Sequence, residues 1–205
     1  MQLQGFEKQD FDTFHIDGLD ERMKAIQERI QPKFKAIGTE LTDHLSVTLG
    51  QEMFLHIAKH ARRSVNPPND TWLAVCDNKR GYKKHPHFQL GLFDDHLFIW
   101  LAFIYELPGK DKIATTFLSD IDELHQLPES FVVSLDHMKK DAMSINDLTE
   151  DHLNRVRSVK KAELLIGKHL SKEEAIKLDT DQFINEVKET LDTLVPLYKK
   201  ALDVL

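Results

Sequence analysis

From Asp17 the apolar residues fall at Leu19, Met23, Ile26, Ile30, Phe34 and Ile37. Steps of three and four place them on one face of a helix. Asp17 is the predicted N-cap. Pro32 lacks the N–H that would bond one turn back, so it is expected to kink or split this helix. Leu41, Leu45 and Leu49 continue the stripe until Gly50, a stop signal. The period then changes. Segments 53–58, 72–77, 88–93 and 97–106 carry β-branched and aromatic residues between turn formers and read as strands. Asp94-Asp95 reads as a tight turn between the third and fourth. Such close spacing favours antiparallel pairing, because parallel strands need a long crossover.

Helical spacing returns at Ile113, Phe117, Ile121, Leu124 and Leu127, ended by Pro128. Segment 131–135 is a short strand candidate. Thr149 can cap a helix carrying Leu153, Val156 and Val159. Segment 162–170 reads either as a last strand or as an extension of that helix. Ser171 with Glu174, and Asp179 with Gln182, have capping-box spacing. The final helix carries Phe183, Val187, Leu191, Leu194 and Tyr198. The expected fold is α+β. A mostly antiparallel sheet of about five or six strands from the middle of the chain is packed by N- and C-terminal amphipathic helices. A single domain over 1–205 is expected, helical at 17–49, strand-rich at 52–107 and mixed at 110–205.

Composition narrows the class. With 205 residues, 41 % hydrophobic and 30 % charged, the chain is neither disordered nor linker-dominated. Its one cysteine, Cys76, cannot form an internal disulfide, and it reads as a buried thiol in an apolar strand. That favours a reducing, cytoplasmic compartment. The polar start, residues 1–10, lacks a signal-peptide layout. The longest apolar run, 97–105, is well short of the roughly 20 residues of a membrane span. No membrane partner is expected.

Charge is unevenly placed. Within 56–90, Lys59, Arg62, Arg63, Lys79, Arg80, Lys83 and Lys84 stand against Asp70 and Asp77. That segment is +5, so the net charge of -7 leaves -12 for the rest. Four of the eleven histidines, His56, His60, His85 and His87, lie in the same segment. Arginine forks suit phosphate or carboxylate, lysines act as mobile charges, and Tyr82 offers a stacking face. Gly81 would allow close backbone approach or a positive φ. Lys59, His60, Arg62, Arg63, Lys79, Arg80, Tyr82, Lys83 and His87 are therefore the candidate anion-binding residues. A solvated loop salt-bridged to the acidic helices is the competing reading.

Pairs His85/His87 and His56/His60 would each share a face, a spacing that zinc ligands use. No carboxylate or cysteine completes a ligand pattern, and the cationic surroundings oppose a divalent ion, so no metal is expected. Asp136-His137 invites a general-base reading, weakened if both lie on a strand, where neighbours face opposite ways. Trp72 and Trp100 read as core. The sequences GxxxxGK[ST], strand-linked GxGxxG, HExxH and GxSxG are absent, so no cofactor is indicated and its identity stays unknown.

The strings 58–68 (AKHARRSVNPP), 70–72 (DTW), 79–83 (KRGYK), 86–89 (PHFQ) with Gly91, and 135–138 (LDHM) resemble the YktB-like family of uncharacterised Gram-positive bacterial proteins. So do Phe11, Phe14 and 16–20 (IDGLD), and the resemblance spans the chain. It implies a small cytoplasmic α+β protein and carries no activity or site residue with it.

The leading functional expectation is a binding module for a phosphate-bearing ligand, a nucleotide or short single-stranded nucleic acid. One alternative is a small-molecule enzyme using His60, His87 or His137 beside the same arginines. Another is an interaction protein that docks an acidic partner. An acidic body repels long duplexes away from the basic segment, which favours a small anion or a short strand.

Overall fold

The computed structural model describes residues 3–205. The first two residues of the polar N-terminal segment lie outside it. After a short α1 (Lys8–Asp12), α2 (Leu19–Ala25) runs through a π-helical turn (Ile26–Ile30) into α3 (Gln31–Leu49). Gly18 at φ 85°, not Asp17, is the N-cap, because a positive φ brings the chain sharply into the first turn. Pro32 does not break the helix. Gln31 N–H reaches back five residues to Ile26 O, and Pro32 then falls in the first turn of α3, where its missing donor is not needed. Gly50 closes α3 in the left-handed conformation, as its position predicts.

Seven strands form one sheet: β1 (Phe54–Ile57), β2 (Thr71–Cys76), β3 (His87–Leu92), β4 (His96–Phe103), β5 (Phe131–Ser134), β6 (Met143–Ser144) and β7 (Leu164–Ser171). Their order is β1-β2-β3-β4-β7-β5-β6, and all pairings are antiparallel. The seventh strand, beyond the five or six expected, is the two-residue β6, too short to leave a periodic signal. Segment 162–170 resolves as strand β7, which pairs with β4 from His96↔Ser171 to Phe103↔Leu164. The helix expected over 113–127 is split. α4 (Lys110–Ser119) stops at Asp120, which leaves helical geometry, and α5 (Ile121–Leu124) follows. Thr149, Ser171 and Asp179 cap α6 (Glu150–Ser158), α7 (Lys172–Ala175) and α8 (Thr180–Leu202).

Every residue of β4 is buried, so both faces of the sheet are covered. Leu97, Ile99, Leu101 and Phe103 point into the main core with Leu73, Val75, Phe88, Leu90 and Ile166. That core is closed by α3, α4, α6 and α8, whose Phe34, Ile37, Phe117, Val156, Val187 and Tyr198 belong to it. The alternate residues Phe98, Trp100 and Ala102 face the other way. With Phe93, Ile104 and Leu165, and with Trp72 and Val132 at its margin, they form a second, smaller cluster. Glycine makes this layer possible at Gly91, where a Cβ would lie 2.3 Å from the Phe98 ring and 2.6 Å from Thr71 O. No helix longer than 18 residues is apolar enough to cross a membrane among the described residues.

Candidate functional site

The second face is built from aromatic and imidazole side chains carried by alternate strand residues and by the segments between strands. Trp72 on β2 donates its indole N–H to the Tyr82 hydroxyl at 3.0 Å. The Trp72 ring lies 5.5 Å from His60 and 6.2 Å from His137, and Tyr82 lies 4.9 Å from His87 and 5.6 Å from His56. The segments after β1, β2 and β5 thus close over the sheet face opposite the helices of the main core.

The two basic stretches leave opposite ends of β2, one preceding Thr71 and the other following Cys76. The second folds back along edge strand β1, where His56 Nε2 meets Asn78 O at 2.8 Å. Between them lies a groove of about 920 Å³ lined by Lys59, Arg80, Tyr82, Lys83 and Lys84, with His56 and His85. Four of the nine candidate residues therefore share one concavity: Lys59, Arg80, Tyr82 and Lys83. Arg62 and Lys79 are exposed and do not line it. Arg63 turns back on its own loop, donating to Asn66 O at 3.4 Å and Pro67 O at 3.5 Å.

The two candidate histidines have other work. His60 sits at φ 48°, in the left-handed region that non-glycine residues rarely occupy, with Nε2 3.1 Å from Thr71 Oγ1. Burial, with Arg63 nearby, depresses its pKa to about 4. His87 is 0 % exposed and bonds His85 O at 2.8 Å and Gln89 at 2.8 Å. Burial lowers its pKa to about 3, so it stays neutral and forms the floor under Tyr82. It cannot serve as the surface donor that its sequence position predicts. Gly81 has neither a positive φ nor a neighbour that a Cβ would strike.

The pairing of the cations is also informative. Of the seven in 56–90, Lys83 alone has a carboxylate within 4.0 Å among the described residues, Glu106 at 3.3 Å. Elsewhere, Lys33, Lys168, Lys172 and Lys188 sit 2.5–2.7 Å from Asp10, Glu186, Asp12 and Glu40. The solvated loop of the competing reading thus has one lysine salt bridge among the described residues, Lys83–Glu106, and its other exposed cations, Lys59, Arg62, Lys79, Arg80 and Lys84, face solvent.

A second centre escaped the sequence-based list. The turn after β5 carries His137, and the residue before β7 is Glu163, 3 % exposed. Glu163 Oε2 accepts His137 Nδ1–H at 2.7 Å and the His137 backbone N–H at 2.9 Å. Its Oε1 accepts Tyr105 N–H at 3.2 Å. Burial disfavours charge on His137, but Glu163, Asp70 and Asp136 outweigh it, and the pKa is raised. Asp70 is 2 % exposed with Oδ2 unpartnered, and burial pushes its pKa to about 6 against the pull of His137 and Arg63. Asp136 was the expected orienting acid; Glu163 holds the ring instead. Because the pair lies beyond the end of β5, strand alternation does not separate Asp136 from His137. No spacing signal links positions 137 and 163, although an acid directly before the apolar run 164–166 is an anomaly visible in sequence.

The histidine pairs considered for zinc do not assemble. His85 pairs with Asp77 at 3.2 Å, while His87 is enclosed. Asp136, His137 and Glu163 do bring ligand atoms within 4.8 Å of one another, a spacing compatible with a metal ion. Three N–H donors already occupy the Glu163 oxygens, however, and Lys139 lies 3.7 Å from Asp136. That donor set suits an oriented imidazole better than a cation. Cys76 is buried, and burial raises its thiol pKa to about 11, as expected of an inert thiol.

Comparison with known proteins agrees with the resemblance drawn from the central block. The family model "Domain of unknown function (DUF1054)" matches residues 6–198. A UPF0637 protein of Oceanobacillus iheyensis is 60 % identical over 201 residues, covering 98 % of each chain. One from Shouchella clausii is 59 % identical over 205 residues, covering 98 % of this chain and 97 % of its own. One from Listeria welshimeri is 54 % identical over 203 residues, covering 98 % and 100 %. The chain belongs to the DUF1054 family, whose relatives here are UPF0637 proteins of Gram-positive bacteria.

Proposed function

We propose that this protein binds a phosphate-bearing ligand, a short single-stranded nucleic acid or a nucleotide, in the groove between β1 and the segment after β2. The observation that carries this reading is the set of unpaired cations. Lys59, Arg80 and Lys84 line the groove without a carboxylate partner, beside the Tyr82 ring. Glu106, paired with Lys83, is the one carboxylate lining the groove among the described residues, so the positive charges exceed the negative ones there, and an anionic ligand would offset the excess. Stacking on Tyr82 and charge from both walls are what a single strand needs, whatever its sequence. The acidic remainder of the chain confines such a ligand to this face. A cytoplasmic location fits the single buried thiol, since thiols stay reduced there.

Fluorescence anisotropy with a labelled RNA hexamer, titrated at several salt concentrations, tests this. Contact with about three phosphates gives a slope of log K against log salt of about -2. Arg80→Glu combined with Lys83→Glu is expected to weaken binding at least ~10-fold, with unchanged unfolding midpoints. Absence of binding at low salt, or salt-independent affinity, contradicts the proposal.

A further inference from the structure

The Trp72 row connects the basic groove to a second cavity. Tyr82 lines the groove, its hydroxyl accepts from Trp72, and the Trp72 ring faces His137. The second cavity is about 500 Å³, and beside His137 it is lined by the acids Asp136, Asp141 and Glu163 and the cations Lys139, Arg155 and Lys161. Glu163 fixes Nδ1 as the protonated ring nitrogen by accepting from it. In the neutral ring Nε2 then carries the lone pair, and it makes no hydrogen bond to any described residue. This is the geometry of a general base held by an orienting carboxylate. Protein hydroxyls and thiols make no hydrogen bond to His137 among the described residues, so the nucleophile must arrive with the ligand or as water.

We propose that His137 is the general base of an RNA-cleaving site, acting on the ribose 2′-hydroxyl beside a phosphate seated in the second cavity. The inference rests on the single-strand reading of the groove. Nε2 takes the 2′-hydroxyl proton as the 2′-oxygen forms a bond to phosphorus. The bond from phosphorus to the 5′-oxygen of the next nucleotide then breaks, and the imidazolium returns the proton to that oxygen. The products are a 2′,3′-cyclic phosphate and a free 5′-hydroxyl, and no co-reactant is consumed. Arg155 and Lys161 supply positive charge for the phosphorane. Glu163 is a positioning residue, since it acts through the ring. The groups facing the imidazole are Glu163, Asp70 and Asp136, which favour its charged form, and His87, whose ionised form would oppose it.

The test incubates the full-length chain with a fluorescent RNA hexamer and with the matching DNA hexamer, following binding by anisotropy and cleavage by gel. RNA should be cut to a cyclic-phosphate end and DNA left whole. His137→Ala and His137→Asn should each lower the rate about 10²–10⁴-fold while binding RNA as before. The wild-type rate should rise with pH until His137 is neutral. Glu163→Gln should move that rise to lower pH and reduce the plateau, a shift that a purely structural role would not produce. Bound but uncut RNA, equal cutting of DNA, or cutting that survives both His137 substitutions overturns the chemistry and leaves the binding proposal standing. Failure to bind RNA at all overturns both.

Discussion

The two faces of the sheet are made by alternate residues of the same strands, yet they are different surfaces. On β4, Leu97, Ile99, Leu101 and Phe103 meet helices, whereas His96, Phe98, Trp100 and Ala102 meet side chains from neighbouring strands and loops. The helix-covered face is aliphatic and phenyl-rich, so its contribution is burial of apolar area. The other face carries Trp72, His87, Gln89, Trp100 and His169, overlaid by His60, Tyr82 and His137. Its polar atoms need particular partners, and Asp70 Oδ2 is left without one. One period-2 pattern thus separates an aliphatic face from a polar, aromatic one across the thickness of a sheet.

Substitutions break or sharpen that contrast in graded ways. Leu101→Ala on the helix-covered face should cost about 2–5 kcal/mol in urea unfolding, since the site is sealed. Its residual folded fraction should bind RNA normally. Trp72→Ala on the other face should cost less stability but weaken RNA binding up to ~10-fold, because it frees the Tyr82 ring, whose stacking would contribute about 1–3 kcal/mol per base. Equal stability losses for the two would erase the distinction between the faces.

Acid should act through the loop-covered face. His87 and His169 have folded-state pKa values lowered to about 3 by burial, the second helped by His96. The unfolded chain, with histidines near their ordinary 6.5, therefore binds more protons than the folded chain between pH 6.5 and 3. Stability should fall as pH drops through that window. His87→Gln should shallow the slope, read from urea midpoints between pH 7 and 4. A slope unchanged by this substitution would mean that His87 charges without unfolding the protein. The smallest effect is expected at Val47, 84 % exposed on α3. Val47→Ser should leave both stability and binding within about 0.5 kcal/mol of wild type.

Much of the fold is legible in sequence because it rests on local signals. The stripe from Leu19 to Ile37, the Gly50 stop, the capping boxes at Ser171 and Asp179, and the four central strands all follow from spacing and turn chemistry. The departures come from less visible geometry. A π-turn absorbed Pro32, Gly18 displaced Asp17 as the cap, and β7 became a strand because β4 and β5 offered it ladders on both sides. The candidate site was legible as composition but not as position. The cluster in 56–90 names nine candidates, of which Lys59, Arg80, Tyr82 and Lys83 line the groove. Composition cannot reveal that His87 lies beneath them or that Arg63 ties its own loop. The Glu163–His137 pair spans 26 residues and depends on β5 lying beside β7.

The most direct test of the proposed binding face reads the protein's two indoles. Trp72 and Trp100 give separate indole N–H signals in a ¹H–¹⁵N NMR spectrum, and only Trp72 is bonded to Tyr82 at the groove. On adding an RNA hexamer, the Trp72 indole signal should shift while that of buried Trp100, and the amides of α3 and α8, stay in place. A Trp72 signal unmoved at saturating RNA, or shifts confined to α3 and α8, would contradict the account.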